Sequence, residues 1–130
     1  MKLFLFFLTF ISYSSFAGDL NLKNYLKMQD SLANDDFTAA LESQKVMCAK
    51  ELSHYKESYK DCGKKFKDIE ELRESFKKLS SVYIANSDKK EMKDLIVAEC
   101  PMAKAKWIQT KGGIRNPYYG KSMLECGQKI

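Results

Sequence analysis

Residues 100–127, CPMAKAKWIQTKGGIRNPYYGKSMLECG, constrain the fold more than any other part of the chain. They hold two of the four cysteines, the only tryptophan, both prolines and four of the six glycines. Glycine pairs and Asn-Pro steps punctuate a backbone, so Gly112-Gly113 and Asn116-Pro117 predict turns. Asn116 precedes a proline, which biases it to an extended conformation. These turns let the segment fold back on itself, and both of its ends carry sulfur.

Cys100 and Met102 are two residues apart and would share one face of an extended strand. Met123 and Cys126 are three apart and would be neighbours on a helical turn. If the fold-back closes, four sulfurs converge. Thiolate and thioether are soft donors, and soft donors select Cu(I) among biological metals. The same residues also read as a Cys100–Cys126 disulfide with Met102 and Met123 as core filler, or as free structural thiols. Residue types alone leave all three open.

The chain begins MKLFLFFLTFISYSSFA. Lys2 supplies a positive start. Leu3 to Ile11 is apolar apart from Thr9, and Ser15 and Ala17 are small residues where a signal peptidase reads. This pattern predicts a cleaved secretory signal over residues 1–17, too short to stay as a membrane span. Residues 18–130 then form one helical-bundle domain with a modest core. Export puts that domain in the periplasm or outside the cell, where disulfides persist. No later stretch is long and apolar enough for a stable membrane span. The net charge is +5, but acids alternate with lysines in DIEELRESFKK, the pattern of a solvated helix face. With no aromatic–basic motif, nucleic acid is not an expected partner.

Apolar periodicity predicts three helices. The first runs from Asp19 to Ala33, with Leu22, Tyr25, Leu26 and Leu32 on one face and Asp19 as its cap. The turn Asn34-Asp35-Asp36 supplies a cap for a second helix from Phe37. The third runs from Lys67 to Ala85 with Phe66, Ile69, Leu72, Phe76, Leu79 and Tyr83 in step. Lys89 to Lys93 reads as a short helix or a loop. Leu95 to Cys100 and Ala105 to Thr110 read as two strands of a small hairpin, with Pro101 stopping the first. The expected fold is therefore mainly α: a three-to-four-helix bundle with a small C-terminal β-hairpin and a Cys/Met-bearing loop.

Cys48 and Cys62 flank a segment whose helical limit the pattern does not fix. A bridge between them would contribute about 2–3 kcal/mol in the loop-entropy picture. On one straight helix they would instead lie roughly 20 Å apart and could not pair. Ligation of a metal by His54, the only histidine, is the alternative use of this segment.

The run C-P-M-A at Cys100–Ala103, then Trp107-Ile108, then I-x-N-P-Y-Y-G-x-x-M-x-x-C-G at Ile114–Gly127 resembles the domain of unknown function 3347 family. Asp68–Ser80 is similar to that family's third helix, and Tyr25–Asp36 to its opening. The resemblance implies an exported helical domain associated with heavy-metal handling, above all copper, found alone or appended to cation-efflux adaptors. An efflux adaptor or another periplasmic protein is the partner it implies. Carried onto matching positions, the metal ligands would be Cys100, Met102, Met123 and Cys126. Cys48 and Cys62 fall outside the pattern and read as an added structural disulfide.

Motifs of catalysis are missing. One histidine leaves no base–nucleophile set. There is no C-x-x-C, and no G-x-S-x-G, H-E-x-x-H or phosphate-cradling loop. A binding module is expected instead of an enzyme. In it Cys100 and Cys126 bind copper as thiolates, and Met102 and Met123 complete or exchange the set. Trp107, Tyr118 and Tyr119 either shield the site or simply pack in the core, and Asn116, Pro117 and Gly120 shape the loop. The rival expectation is a disulfide-stabilised structural or interaction domain without metal, whose pinned loop presents Tyr118-Tyr119 to a partner.

Overall fold

Three short polar side chains start the three helices of the computed structural model, which describes residues 20–130. The expected leader over residues 1–17 and the Asp19 cap lie outside the described residues. Helix α1 (Leu22–Ala33) is capped instead by Asn21, whose side chain accepts from the Lys23 amide. Asp36 caps α2 (Phe37–Lys50) and Asp68 caps α3 (Ile69–Asn86). At α3 the Glu71 carboxylate also accepts from the Lys67 amide at 2.9 Å. Each such cap satisfies an otherwise orphaned N–H and is worth about 1 kcal/mol.

Helix α2 ends at Lys50, and a single 3₁₀ turn follows at Ser53–Tyr55. The break lets the chain double back, so Cys48 and Cys62 form a disulfide with Cα atoms 5.6 Å apart. The bridge staples a stretch with little regular structure. Replacing both cysteines by alanine is expected to lower the unfolding free energy by about 2–3 kcal/mol. A urea titration reads this as a lower midpoint, and a change under 0.5 kcal/mol (roughly the noise of a neutral surface substitution) would contradict it.

Strands β1 (Leu95–Cys100) and β2 (Ala105–Thr110) form the hairpin, in register from Leu95 opposite Thr110 to Cys100 opposite Ala105. A third strand, β3 (Gln128–Lys129), joins the other edge of β1, giving the order β2-β1-β3. This corrects the expected mainly-α bundle: the fold is α+β, three helices with a three-stranded antiparallel sheet. There is no fourth α-helix among the described residues; residues 89–94 are turn. The sheet is a core layer and not an appendage, because α3 packs against β2 more extensively than against either other helix. Two polar residues such as Gln128-Lys129 carry no strand signal. Only their place beside β1 makes them one.

The core explains why this sheet sits where it does. Tyr25 of α1 stacks on Phe76 and Tyr83 of α3, with ring centroids 5.1 and 4.8 Å apart. Tyr118 meets Phe76, and Trp107 meets Tyr118 edge-on at 5.8 Å. The free edge of β2 is covered by tyrosine hydroxyls: the Ile108 amide donates to Tyr25 Oη at 3.0 Å, and Tyr118 Oη donates to the Lys106 carbonyl. Ser80 holds both hydroxyls from α3. An uncovered edge invites pairing with another chain; here the edge groups are used internally.

Candidate functional site

The C-terminal hook is built around one fully buried side chain, Asn116. Its amide nitrogen Nδ2 donates to the Cys126 carbonyl at 2.6 Å. Its Oδ1 accepts from the Tyr118 and Tyr119 amides at 2.8 and 3.1 Å. Its backbone N–H donates to the Leu124 carbonyl at 2.7 Å, and its carbonyl accepts from Gly120. Asparagine offers a donor and an acceptor on one short stem, so one residue closes the loop of residues 116–126 onto itself. Pro117 is buried and gives its carbonyl to Arg73 Nε at 2.9 Å.

Two glycines let the hook seat. Gly120 has φ of 58°, and a Cβ there would collide with Asp35 Oδ1 and Arg73 Nη2. Gly127 has φ of 140°, and a Cβ there would come within 2.8 Å of the Glu99 carbonyl and of Trp107. Both combine a left-handed φ with a close approach, which only glycine meets without strain.

This closure brings Cys126 to Cys100. Cys100 ends β1, buried in the core, while Cys126 closes a turn in which its amide donates to the Met123 carbonyl. The two sulfurs are 3.2 Å apart and both thiols are free. Burial opposes ionisation of Cys100, but hydrogen bonds from the Ala103 amide, the Cys126 thiol, the Asn116 side chain and the Met102 amide outweigh it. They hold its pKa below the ordinary thiol range. Cys126 moves the other way. Its hydrogen bond to Cys100, then burial and the charge on Cys100, push it up. The arrangement is a close thiol pair in which Cys100 is the sulfur that ionises more readily.

The methionines do not join on equal terms. Met123 lines an open surface depression with Lys121, Leu124, Glu125 and Cys126. Met102 is 64% exposed and lines a separate cavity of about 140 Å³ with Tyr118, Tyr119 and Arg73. The same-face argument for Cys100 and Met102 needed a continuing strand, but Pro101 opens a turn, with the Lys104 amide on the Pro101 carbonyl and Lys104 at φ 51°. His54 is exposed on its 3₁₀ turn. No group of three His, Cys, Asp or Glu side chains gathers for a metal among the described residues. Trp107 and Tyr118 are buried beside the hook, so Tyr118, 4% exposed, cannot be presented to a partner.

Two functional supports carried little sequence signal. Arg73 lies in the middle of α3, buried, with donors to Pro117, Leu32, Asp35 and Glu70. Gln109 accepts from Trp107 Nε1 and from the Arg115 amide through Oε1, and donates to the Gly113 carbonyl. The only hint was position: each is a polar residue beside an apolar run. No helix among the described residues is long and apolar enough to cross a membrane. No protein-family model matches the chain, and comparison with curated proteins and with solved structures likewise gives no match.

Proposed function

We propose that this chain is an extracytoplasmic module that binds a soft metal ion, copper(I), as cargo. The observation that carries the proposal is the 3.2 Å approach of the Cys100 and Cys126 sulfurs. Two thiolates form a soft donor pair suited to a monovalent d¹⁰ ion, and Met123 lies in the same depression as Cys126 to supply a thioether. Met102, exposed on the neighbouring turn, would serve as an exchange ligand. The Cys48–Cys62 disulfide agrees with an oxidising compartment. The resemblance of Cys100–Gly127 to the domain of unknown function 3347 family points to the same chemistry, with an efflux adaptor or other periplasmic protein as donor or recipient.

Binding would displace the proton shared by the two sulfurs, so affinity should fall as the medium is acidified. Cu(I) titration against a competing chelator, under reductant, tests the site. The Cys100→Ser and Cys126→Ser variants are expected to lose binding. Met123→Leu should weaken it about tenfold, or ~1.4 kcal/mol, while Met92→Leu should match the parent protein. Equal behaviour of the two methionine variants would remove Met123 from the set. Undiminished binding in both serine variants would end the proposal.

A further inference from the structure

We propose that Cys100 and Cys126 form a reversible dithiol–disulfide couple that exchanges with small-molecule thiols and disulfides, with Cys126 the only protein sulfur that reacts with them directly and Cys100 the resolving and leaving sulfur. The geometry is asymmetric. Cys100 is fully buried at the end of β1, beneath the turn that carries the Ala103 amide. Cys126 is partly exposed and lines an open depression of about 470 Å³. A thiol from solution therefore meets Cys126 first, and 3.2 Å is close enough for the second sulfur to follow without rearranging the hook.

The steps balance with a small disulfide RSSR as oxidant. Cys126 gives its proton to water and attacks one sulfur of RSSR, giving a mixed disulfide on Cys126 and releasing RS⁻. Cys100, once ionised, attacks Cys126 Sγ and expels the second RS⁻, and the two RS⁻ take up the two protons that the protein gave to solvent. Two electrons pass from the protein to RSSR, which leaves as two thiols. In reverse, RS⁻ attacks Cys126 Sγ and Cys100 departs as a thiolate toward the Ala103 amide. A second RS⁻ then attacks the external sulfur of the mixed disulfide and frees Cys126. The Ala103 amide, 3.4 Å from Cys100 Sγ, stays in place to receive the leaving sulfur, and a stabilised leaving thiolate speeds exchange, so this disulfide should be far easier to reduce than Cys48–Cys62. The inference extends the metal-binding proposal: oxidation would remove both thiolates and release the ion.

The test uses the full mature chain, free of metal in the presence of a chelator, so it does not depend on whether copper binds. Oxidised glutathione is the probe and intact mass the readout. Cys100→Ser is expected to accumulate a stable glutathione adduct on Cys126. Cys126→Ser should react at least about tenfold more slowly, as expected for a buried thiol. The parent protein should lose two thiols with no lasting adduct, and regain them in reduced glutathione while Cys48–Cys62 stays closed. Circular dichroism confirms that each variant folds. Should either variant fail to fold, differential alkylation of the folded parent, in which Cys126 should label first, replaces it. Adduct formation on Cys100 at an equal or faster rate, or a Cys100–Cys126 bridge as resistant to glutathione as Cys48–Cys62, would overturn the proposal.

Discussion

Arg73→Met should lower the unfolding free energy by about 3–5 kcal/mol, the range for removing one partner of a buried charge network. The Arg73 guanidinium is almost fully buried and spends its donors on three separate parts of the chain. Nε donates to the Pro117 carbonyl at 2.9 Å, and Nη2 to the Leu32 carbonyl at 2.9 Å and to Asp35 Oδ1 at 2.7 Å. Nη1 meets Glu70 on its own helix. One residue thus joins the end of α1, the middle of α3 and the start of the C-terminal hook. Methionine fills similar volume but offers no donor, so the Pro117 carbonyl loses its Arg73 hydrogen bond inside the core. Arg73→Lys should recover little, because one ammonium cannot cover a planar fork's directions at once. Urea unfolding measures the loss, and a value under 1 kcal/mol, within the ordinary range of single substitutions, would show that the network is dispensable.

The same substitution has a pH signature. The hydrogen bond from Arg73 holds the Asp35 carboxyl below the ordinary carboxylate range. A carboxyl whose folded pKa is lowered contributes stability above its unfolded value and loses it as pH falls through the folded value. The parent protein should therefore lose an increment of stability below about pH 4 that Arg73→Met no longer has to lose. The Asp35 side chain is 41% exposed, so solvent screening keeps that increment small beside the loss of the buried donors.

What could be read from the chain divides along the range of the interactions. Local signals held. The three helices follow their apolar stripes, and an aspartate of the Asn34-Asp35-Asp36 turn, Asp36, caps α2. The hairpin strands fall at Leu95–Cys100 and Ala105–Thr110, where β-branched and aromatic residues meet Pro101. The turns at Asn116-Pro117 do return Cys126 to Cys100. Non-local signals did not hold. Nothing in Gln128-Lys129 announces a strand, since its pairing depends on the hook already closed over Gly127. The same is true of Arg73, whose four partners lie 3 to 44 residues away. The strand argument for Met102 shows a related limit: periodicity assumes that an element continues, and the turn at Pro101 interrupts it. Which of the two cysteines lies under the Ala103 amide, and so ionises more readily, is a fact that no spacing encodes.

Asn116→Ala is expected to cost about 3–5 kcal/mol and to separate the two sulfurs, and comparison with Asn116→Asp shows why. Alanine leaves the Tyr118 and Tyr119 amides without Oδ1 and the Cys126 carbonyl without Nδ2, and each buried group left unpaired costs about 1–3 kcal/mol. Asn116→Asp keeps the volume and both acceptor bonds but sets a carboxyl oxygen where Nδ2 stood, 2.6 Å from a carbonyl. That contact is favourable only if the carboxyl is protonated and donates. Its folded pKa must then lie above the unfolded value near 3.9. A raised carboxyl contributes its stability below the unfolded pKa and loses it as pH rises through the folded one. Asn116→Asp should therefore approach the parent protein in urea unfolding near pH 4 and fall away by up to about 1.4 kcal/mol per pH unit above it, while Asn116→Ala stays low throughout. Thiol-exchange rates, taken relative to the parent protein at each pH, should follow the same curve, because the Asn116 side chain holds the Cys126 backbone that places Cys126 Sγ beside Cys100. If Asn116→Asp is as stable as the parent protein at pH 7, Nδ2 does not latch the hook, and the approach of Cys126 to Cys100 must come from Gly127 and the β3 pairing instead.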